Sequence, residues 1–376
     1  MKRVLIAGAG PVGLTAALTL ARGGVPVTVL EAGPELAAES RASTFHPPTL
    51  EMLAELGVLP ELMTRGLVAP TFQYRDRRGG AIATLDMAVL AEDTPYPYRV
   101  QCEQSKLTPI LMEHLLRHGG EVVFGAAVQE VLPRAGGVRA TTAAGVPFDA
   151  DVLIGADGAH SAVRRALAIP FEGITYPERF LVASTDEDVE SLLPGIAPIN
   201  YVFDPEEWLV LLRTPDHWRV LLPTPDDTPD DAELARLAGR LRAVADPGRD
   251  WKVAHSSLYR VHQRVAGRFR DGPVLLAGDA AHVNNPLGGL GMNSGIHDAV
   301  LMAAALLSGD SAAVDAAAER RRQVALQHVR AISHGNWEKL RSADPAAHHA
   351  ELRALAADPE AARQHLLRAC LITSLR

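Results

Sequence analysis

The chain has 376 residues, 47% of them hydrophobic, and sets 37 basic against 45 acidic side chains for a net charge of −8. That length can bury a large core in about two domains. The acidic balance leaves no electrostatic footprint for nucleic acid, and two cysteines, Cys102 and Cys370, cannot make a disulfide framework or an ordinary structural zinc site. No apolar run approaches the roughly eighteen residues of a membrane span, and the expectation is a soluble, cytoplasmic protein.

Residues 4–7 form a short apolar run of strand type, and Gly8-Ala9-Gly10-Pro11-Val12-Gly13 is a GxGxxG turn. Helical spacing over 14–22 then leads to a second apolar run over 25–30. This is a β-α-β unit in which each glycine has its own task. Gly8 permits the tight turn, Gly10 lets backbone N–H groups approach a pyrophosphate, and Gly13 lets helix and strand pack closely. The phosphate charge meets the positive end of the helix dipole. Glu31 follows the second strand at about the twenty-residue offset where an acid accepts ribose hydroxyls. Lys2-Arg3 before apolar residues resembles a secretory signal, but the glycine pattern and the strand ending in Glu31 count against cleavage.

A loop over 41–48 precedes helical spacing over 49–56, halted at Gly57. From 68 to 98 the pattern alternates, predicting strands outside the nucleotide domain. An amphipathic helix over 107–118 carries His114 and His118 one turn apart, without the further ligands a metal site requires. A strand follows at 121–124, then a hairpin at 138–142 and 146–148, and the buried strand before Gly155-Ala156-Asp157-Gly158 returns to the first domain. Apolar runs at 180–184, 200–203, 208–213 and 218–222, separated by turn residues such as Thr214-Pro215-Asp216-His217, are the clearest sheet signal. One amphipathic helix spans 230–244. The chain crosses back at 272–279, again strand into glycine turn, with a helix beginning near Met292 and further helices to the end.

Three motifs now stand in fixed order: Gly8 to Gly13 with Glu31; Gly155-Ala156-Asp157-Gly158 running on to Arg164; and Gly278-Asp279 through Gly288-Gly289-Leu290-Gly291-Met292-Asn293. Together they resemble the group A FAD-dependent aromatic hydroxylases, the flavoprotein monooxygenases typified by para-hydroxybenzoate hydroxylase. The resemblance implies an α/β fold: a Rossmann-like FAD-binding domain of the GxGxxG type, an inserted, mainly antiparallel β-sheet substrate domain and a helical C-terminal region. The limits are 1–70, 99–178 and 263–310 for the FAD-binding domain, 71–98 and 179–262 for the sheet domain, and 311–376 for the helical segment. FAD would be held by Gly8, Gly10, Pro11, Val12, Gly13, Glu31, Ala32, Arg41, Ala42, Gln104, Val128, Asp157, Gly158, Asp279, Pro286, Gly289, Gly291, Met292 and Asn293. Of these, Arg41 would lie near the pyrophosphate and flavin and Gln104 would touch the ribityl chain. The N–H groups at Met292 and Asn293 would face the flavin edge that gains negative charge on reduction. Asp157 and Asp279 can also serve as helix N-caps. The sequence departs from the family at Pro48, Thr108, Asn285 and Leu301, and the Asn285 change falls in a turn that lines substrate and flavin.

The activity so implied is NAD(P)H- and O2-dependent hydroxylation of an aromatic or polycyclic small molecule through a flavin C4a-hydroperoxide. With a single dinucleotide fingerprint, NADPH or NADH would dock transiently on the FAD domain and substrate sheet. His46, on the loop beside the flavin, is the candidate catalytic base because an unperturbed imidazole exchanges protons near neutrality. Tyr201, Leu211 and Arg213 on the sheet, with Trp218 and the turn residue Pro286, are the candidate substrate contacts. No metal is implied, and the protein would be a monomer or homodimer. The rival readings are a halogenase or oxidase of the same fold, or a flavin-binding protein without turnover. No Trp-x-Trp-x-Ile-Pro run of the halogenase type surrounds any of the four tryptophans.

Overall fold

The computed structural model describes residues 3–38, 42–204, 206–341 and 345–376. In chain order its main elements are β1 (Val4–Ala7), α1 (Pro11–Arg22), β2 (Val27–Leu30), α2 (Pro47–Glu55), β3 (Thr71–Asp76), β4 (Gly80–Asp86), β5 (Arg99–Gln101), α3 (Gln104–Arg117), β6 (Glu121–Val123) and β7 (Val152–Gly155). There follow α4 (Ala162–Ala166), β8 (Phe171–Thr185), β9 (Ile199–Phe203), β10 (Leu209–Arg213), β11 (Trp218–Pro225), α5 (Asp230–Val244), β12 (Val253–Ala266) and β13 (Val274–Leu276). The C-terminal helices are α6 (Leu290–Leu307), α7 (Ser311–Val324), α8 (Arg330–Leu340), α9 (Pro345–Ala357) and α10 (Pro359–Ala369).

The nucleotide domain is built on a sheet whose central order is β13-β7-β1-β2-β6, all parallel, with Arg270–Asp271 added antiparallel at one edge. Its strands are covered on both faces, so β1, β7 and β13 are buried at every position and read as unbroken apolar runs. Helix α1 packs between α6 and α3. Helix α6 qualifies by length and composition for a membrane span, with mean hydropathy 1.3, yet 56% of it is buried inside the protein. Its polar Asn293, Ser294, His297 and Asp298 are all buried, which marks a core helix whose Asp298 pairs with Arg321 and His282.

The second sheet runs His282–Val283, β12, β8, β11, β10, β9, β3, β4, antiparallel except where β9 meets β3. Strands β8 and β12 are 15 and 14 residues long and cross the limits expected at 178 and 262, so the two lobes share them rather than meeting at a linker. Alternation gives this sheet two apolar faces. Leu209, Leu211, Trp218 and Val220 lie under α5, whose Leu237 and Leu241 close that side. Phe72, Tyr201, Phe203 and Val210 face the other way, where α8, α9 and α10 cover them through Leu340, Leu352 and Leu366. The C-terminal segment is therefore the second wall of the sheet's inner face, and a π-helical turn at Ala325–Val329 joins α7 to α8.

Candidate active site

Three turns distant in sequence pack on one another beyond β1, β7 and β13. Gly8 has φ +102°, and a Cβ there would lie 2.4 Å from the Ala156 carbonyl oxygen, so the first turn rests on the second. A Cβ on Gly278 or Gly295 would strike Val12 at 2.8 Å or 2.6 Å, so Val12 wedges the first turn against the third and against α6. Gly13 is fixed by the Gly8 oxygen, only 2.0 Å from where its Cβ would stand.

Gly10 is different. Its φ of −72° suits any residue, and a Cβ there would meet no protein atom within 4 Å. Chain packing does not require this glycine, and the open space beside it leaves room for a ligand to approach the backbone. Helix α1 has Gly10 as N-cap, with no side-chain cap and no acid in its first turn, so its leading N–H groups are left for an anion. Asp157 accepts hydrogen bonds at Oδ2 from the backbone of Ala162 (2.7 Å) and Val163 (3.1 Å), while its buried Oδ1 has no partner. Glu31 accepts from the Ala9 N–H at 2.6 Å and the Gly33 N–H at 2.9 Å, and each oxygen retains a lone pair for a ribose hydroxyl. An anion cradle, an orphaned buried carboxylate oxygen and a braced acid fit FAD.

The remaining expected cofactor residues frame the same region. The Ala42 carbonyl accepts from the N–H of Gln104, which opens α3. Ala32 lies exposed after Glu31, and Val128 begins the strand Val128–Arg134, close to where the Ala126 N–H donates to the Glu31 carbonyl at 2.7 Å. Asp279 is exposed in the short 3₁₀ turn Gly278–Ala280. Arg41 lies outside the described residues. His114 and His118 make local bonds, to Glu61 and to the His114 carbonyl.

Helix α6 starts from Gly289 in the left-handed conformation (φ +67°), with no side-chain cap on its first turn. Asn293 ties this start down: its Nδ2 donates to the carbonyls of Gly289 (2.6 Å) and Thr44 (2.8 Å), and its Oδ1 accepts from the His46 N–H at 2.9 Å. The Pro286 carbonyl accepts the Gly289 N–H within this turn. The Asn285 Oδ1 takes the Leu287 N–H at 3.0 Å, so the asparagine side chain builds this turn.

His46, the candidate base, sits where burial disfavours its charged form. It is fully buried as the N-cap residue of α2, with Nε2 2.9 Å from the Gly288 carbonyl oxygen. Burial first, then the Arg99 charge, presses its pKa well below the ordinary histidine value. A neutral imidazole donating from Nε2 holds Gly288 in place; it is a poor proton acceptor near neutrality.

Between the inner sheet face and the C-terminal helices lies a cavity of about 250 Å³. Phe72, Tyr74, Tyr201 and Phe203 form its aromatic wall, with Tyr74 and Tyr201 ring centres 5.7 Å apart, and Gly288 links it to the start of α6. Arg99, on β5, enters this wall only 3% exposed. Its guanidinium lies 4.5 Å over the Phe72 ring and Nη2 points at the Cys370 sulfur at 3.9 Å, but Nε and Nη1 have no hydrogen-bond partner. Burial pushes Cys370, Tyr74 and Tyr201 upward, so all three are neutral near pH 7 and none balances the charge.

Of the expected substrate contacts, Tyr201 lines this cavity. Leu211 and Trp218 do not: both belong to the face under α5, because one register step along a strand reverses the side chain. Arg213 points to that same side and pairs with Glu190 at 3.4 Å. Sequence reasoning missed Arg99, although a charged residue inside the run Tyr98-Arg99-Val100-Gln101 was the available signal. It also missed Lys339, His365 and Arg368 of the helical wall, for which spacing offers no cue.

A family model described as an FAD binding domain matches residues 1–332. The chain is 35% identical over 357 residues to the para-nitrophenol 4-monooxygenase of Pseudomonas sp. strain WBC-3, covering 91% of this chain and 88% of that protein. It is 36% identical over 314 residues to 6-hydroxy-3-succinoylpyridine 3-monooxygenase HspB of Pseudomonas putida strain S16, covering 81% and 79%. The crystal structure of p-nitrophenol 4-monooxygenase PnpA from Pseudomonas putida DLL-E4 superposes with a TM-score of 0.92 at 32% identity over 98% of both chains. The converged turns and these similarities together identify the chain as a member of the FAD binding domain family and, within it, an FAD-dependent monooxygenase of the group A aromatic hydroxylase type.

Proposed function

We propose that the protein hydroxylates a single-ring phenol, bound as its anion in the Arg99 cavity, using NADPH or NADH and O2. The observation that carries this reading is the Arg99 guanidinium, whose Nε and Nη1 have no hydrogen-bond partner, set in an aromatic wall beside Gly288. A buried cation without a counter-charge costs several kcal/mol, and a phenolate oxygen supplies the missing partner. The cavity, about 250 Å³, falls below the roughly 300–1,000 Å³ of sites for drug-sized ligands, which favours one ring over a polycycle. One of the relatives is named for p-nitrophenol, a ring of that size.

Bound FAD supplies hydride acceptance and O2 activation. The chain's own groups bind, orient and shield. The open N-terminus of α1 would take the pyrophosphate, Glu31 a ribose, and the Asp157 Oδ1 a hydroxyl or amide of the cofactor. The uncapped start of α6 would favour a negative charge on a flavin bound beside it. Arg99 holds the substrate oxygen deprotonated, which feeds electron density into the ring and makes it a better nucleophile. A phenol that ionises near neutrality then needs no protein base, in keeping with a His46 that positions Gly288. Leu340, Leu352 and the aromatic wall keep water from the reacting atoms.

The test is a panel of one-ring phenols and polycyclic aromatics added to the FAD-loaded protein with NADH or NADPH. Phenol-stimulated consumption of the nicotinamide, with one oxygen atom from O2 in the product, is the expected result. A yellow protein whose nicotinamide consumption no one-ring phenol accelerates overturns the proposal.

A further inference from the structure

Behind the third cofactor turn lies a buried charge cluster that neither the cofactor contacts nor the cavity uses. Asp298 is the only acidic residue of α6 and is fully buried. Its Oδ2 accepts the Gly278 N–H at 3.1 Å and lies 2.8 Å from Nε2 of His282, while its Oδ1 accepts from Nε of Arg321 at 2.6 Å. Each partner belongs to a different part of the protein. Gly278 opens the short turn that presents Asp279. His282 belongs to the strand His282–Val283, which pairs with β12, one of the strands shared by the two lobes. Arg321 is on α7 and also donates to the Ser294 Oγ at 2.9 Å. Burial pushes the Asp298 carboxyl up, but Arg321 and His282 more than offset it, so the group stays ionised.

Apolar residues of similar volume often stabilise a fold as well as a buried ion pair does, or better. What they cannot do is accept the Gly278 N–H. That turn has left-handed backbone at Gly278 (φ +59°), and a Cβ on Gly295 would stand 3.0 Å from the Gly278 Cα, so α6 and the turn meet backbone to backbone. We propose that Asp298 is a positioning residue for FAD: braced by Arg321, it fixes the Gly278 turn, and with it Asp279, before the cofactor arrives. This holds whatever substrate the Arg99 cavity takes.

The experiment compares two double variants that both lack the buried ion pair. Asp298→Leu/Arg321→Met removes the acceptor, and Asp298→Asn/Arg321→Met keeps an oxygen that can take the Gly278 N–H. The FAD dissociation constant is read from the flavin fluorescence released on diluting the loaded protein, and urea unfolding after FAD removal reports the fold. The leucine variant should unfold near the wild-type urea concentration yet hold FAD about tenfold or more weakly, and the asparagine variant should recover most of that loss. Wild-type FAD affinity in the leucine variant, or equal weakness in both, overturns the proposal. Should the leucine variant fail to fold, hydrogen exchange of the FAD-free wild type decides. The Gly278 amide should then exchange as slowly as those of β13, and fast exchange there overturns the proposal equally.

Discussion

Replacing Arg99 with methionine separates a functional charge from a structural one. The guanidinium is 3% exposed, with the Phe72 ring, the Cys370 sulfur and the neutral phenols of Tyr74 and Tyr201 around it. The cation–π contact returns at most about 2 kcal/mol, against a desolvation penalty of several kcal/mol. Methionine fills much of the same volume without that penalty, so Arg99→Met should leave stability unchanged or raise it by about 1–2 kcal/mol. Two free donors, Nε and Nη1, would meet the oxygen of the proposed phenolate, and hydrogen bonds to a charged group contribute about 1.5–3 kcal/mol. Phenolate affinity should therefore fall by about 10- to 150-fold. Arg99→Lys keeps the charge but not the planar fork and should lie between. Urea unfolding and phenol titration of the same preparations give both numbers. A variant that unfolds at lower urea while binding phenol as before would show that Arg99 serves the fold, and would refute the argument.

Gly8→Ala and Gly10→Ala should behave oppositely: the first forces a Cβ to 2.4 Å from the Ala156 oxygen at a positive φ and should fail to fold, whereas the second meets no protein atom and should fold normally but lose FAD on dialysis. Leu211→Ala should cost about 2–5 kcal/mol in urea unfolding and leave phenol affinity alone, because the side chain belongs to the core under α5; an affinity change without a stability loss would reverse the face assignment. Stability should also fall on acidification. His297, fully buried and lowered to about 3 chiefly by burial and then by Arg321, together with His46, is held neutral in the folded state. Folded pKa values depressed below the unfolded value mean that the stabilisation is complete above about pH 6.5 and is lost as pH falls toward the folded values, at about 1.4 kcal/mol per pH unit per histidine. Unfolding midpoints that stay level from pH 6.5 to 4.5 would contradict this.

The cofactor half of the protein was legible because its signals are local. The GxGxxG turn, the two later glycine turns and Glu31 each lie next to a buried parallel strand, and such strands announce themselves as unbroken apolar runs. The helix over 230–244 was equally plain, since a single amphipathic face meets a single sheet face. The substrate half was legible as a sheet but not as a site. Tyr201 and Leu211 both sit in apolar strands, and only the register against β3 and β11 sends one into the cavity and the other under α5.

What the sequence by itself determined is the dinucleotide grip, because backbone conformation, glycine placement and helix start are written within a few consecutive residues. Tertiary structure alone decided the cavity. Its wall joins β3, β5 and β9 to helices more than a hundred residues further along, and whether a buried cation such as Arg99 has a counter-charge depends on which distant side chains packing brings to it. The same holds for His46: burial and the Arg99 charge, which lower its pKa, and its contact with the Gly288 carbonyl come from packing and not from its loop sequence.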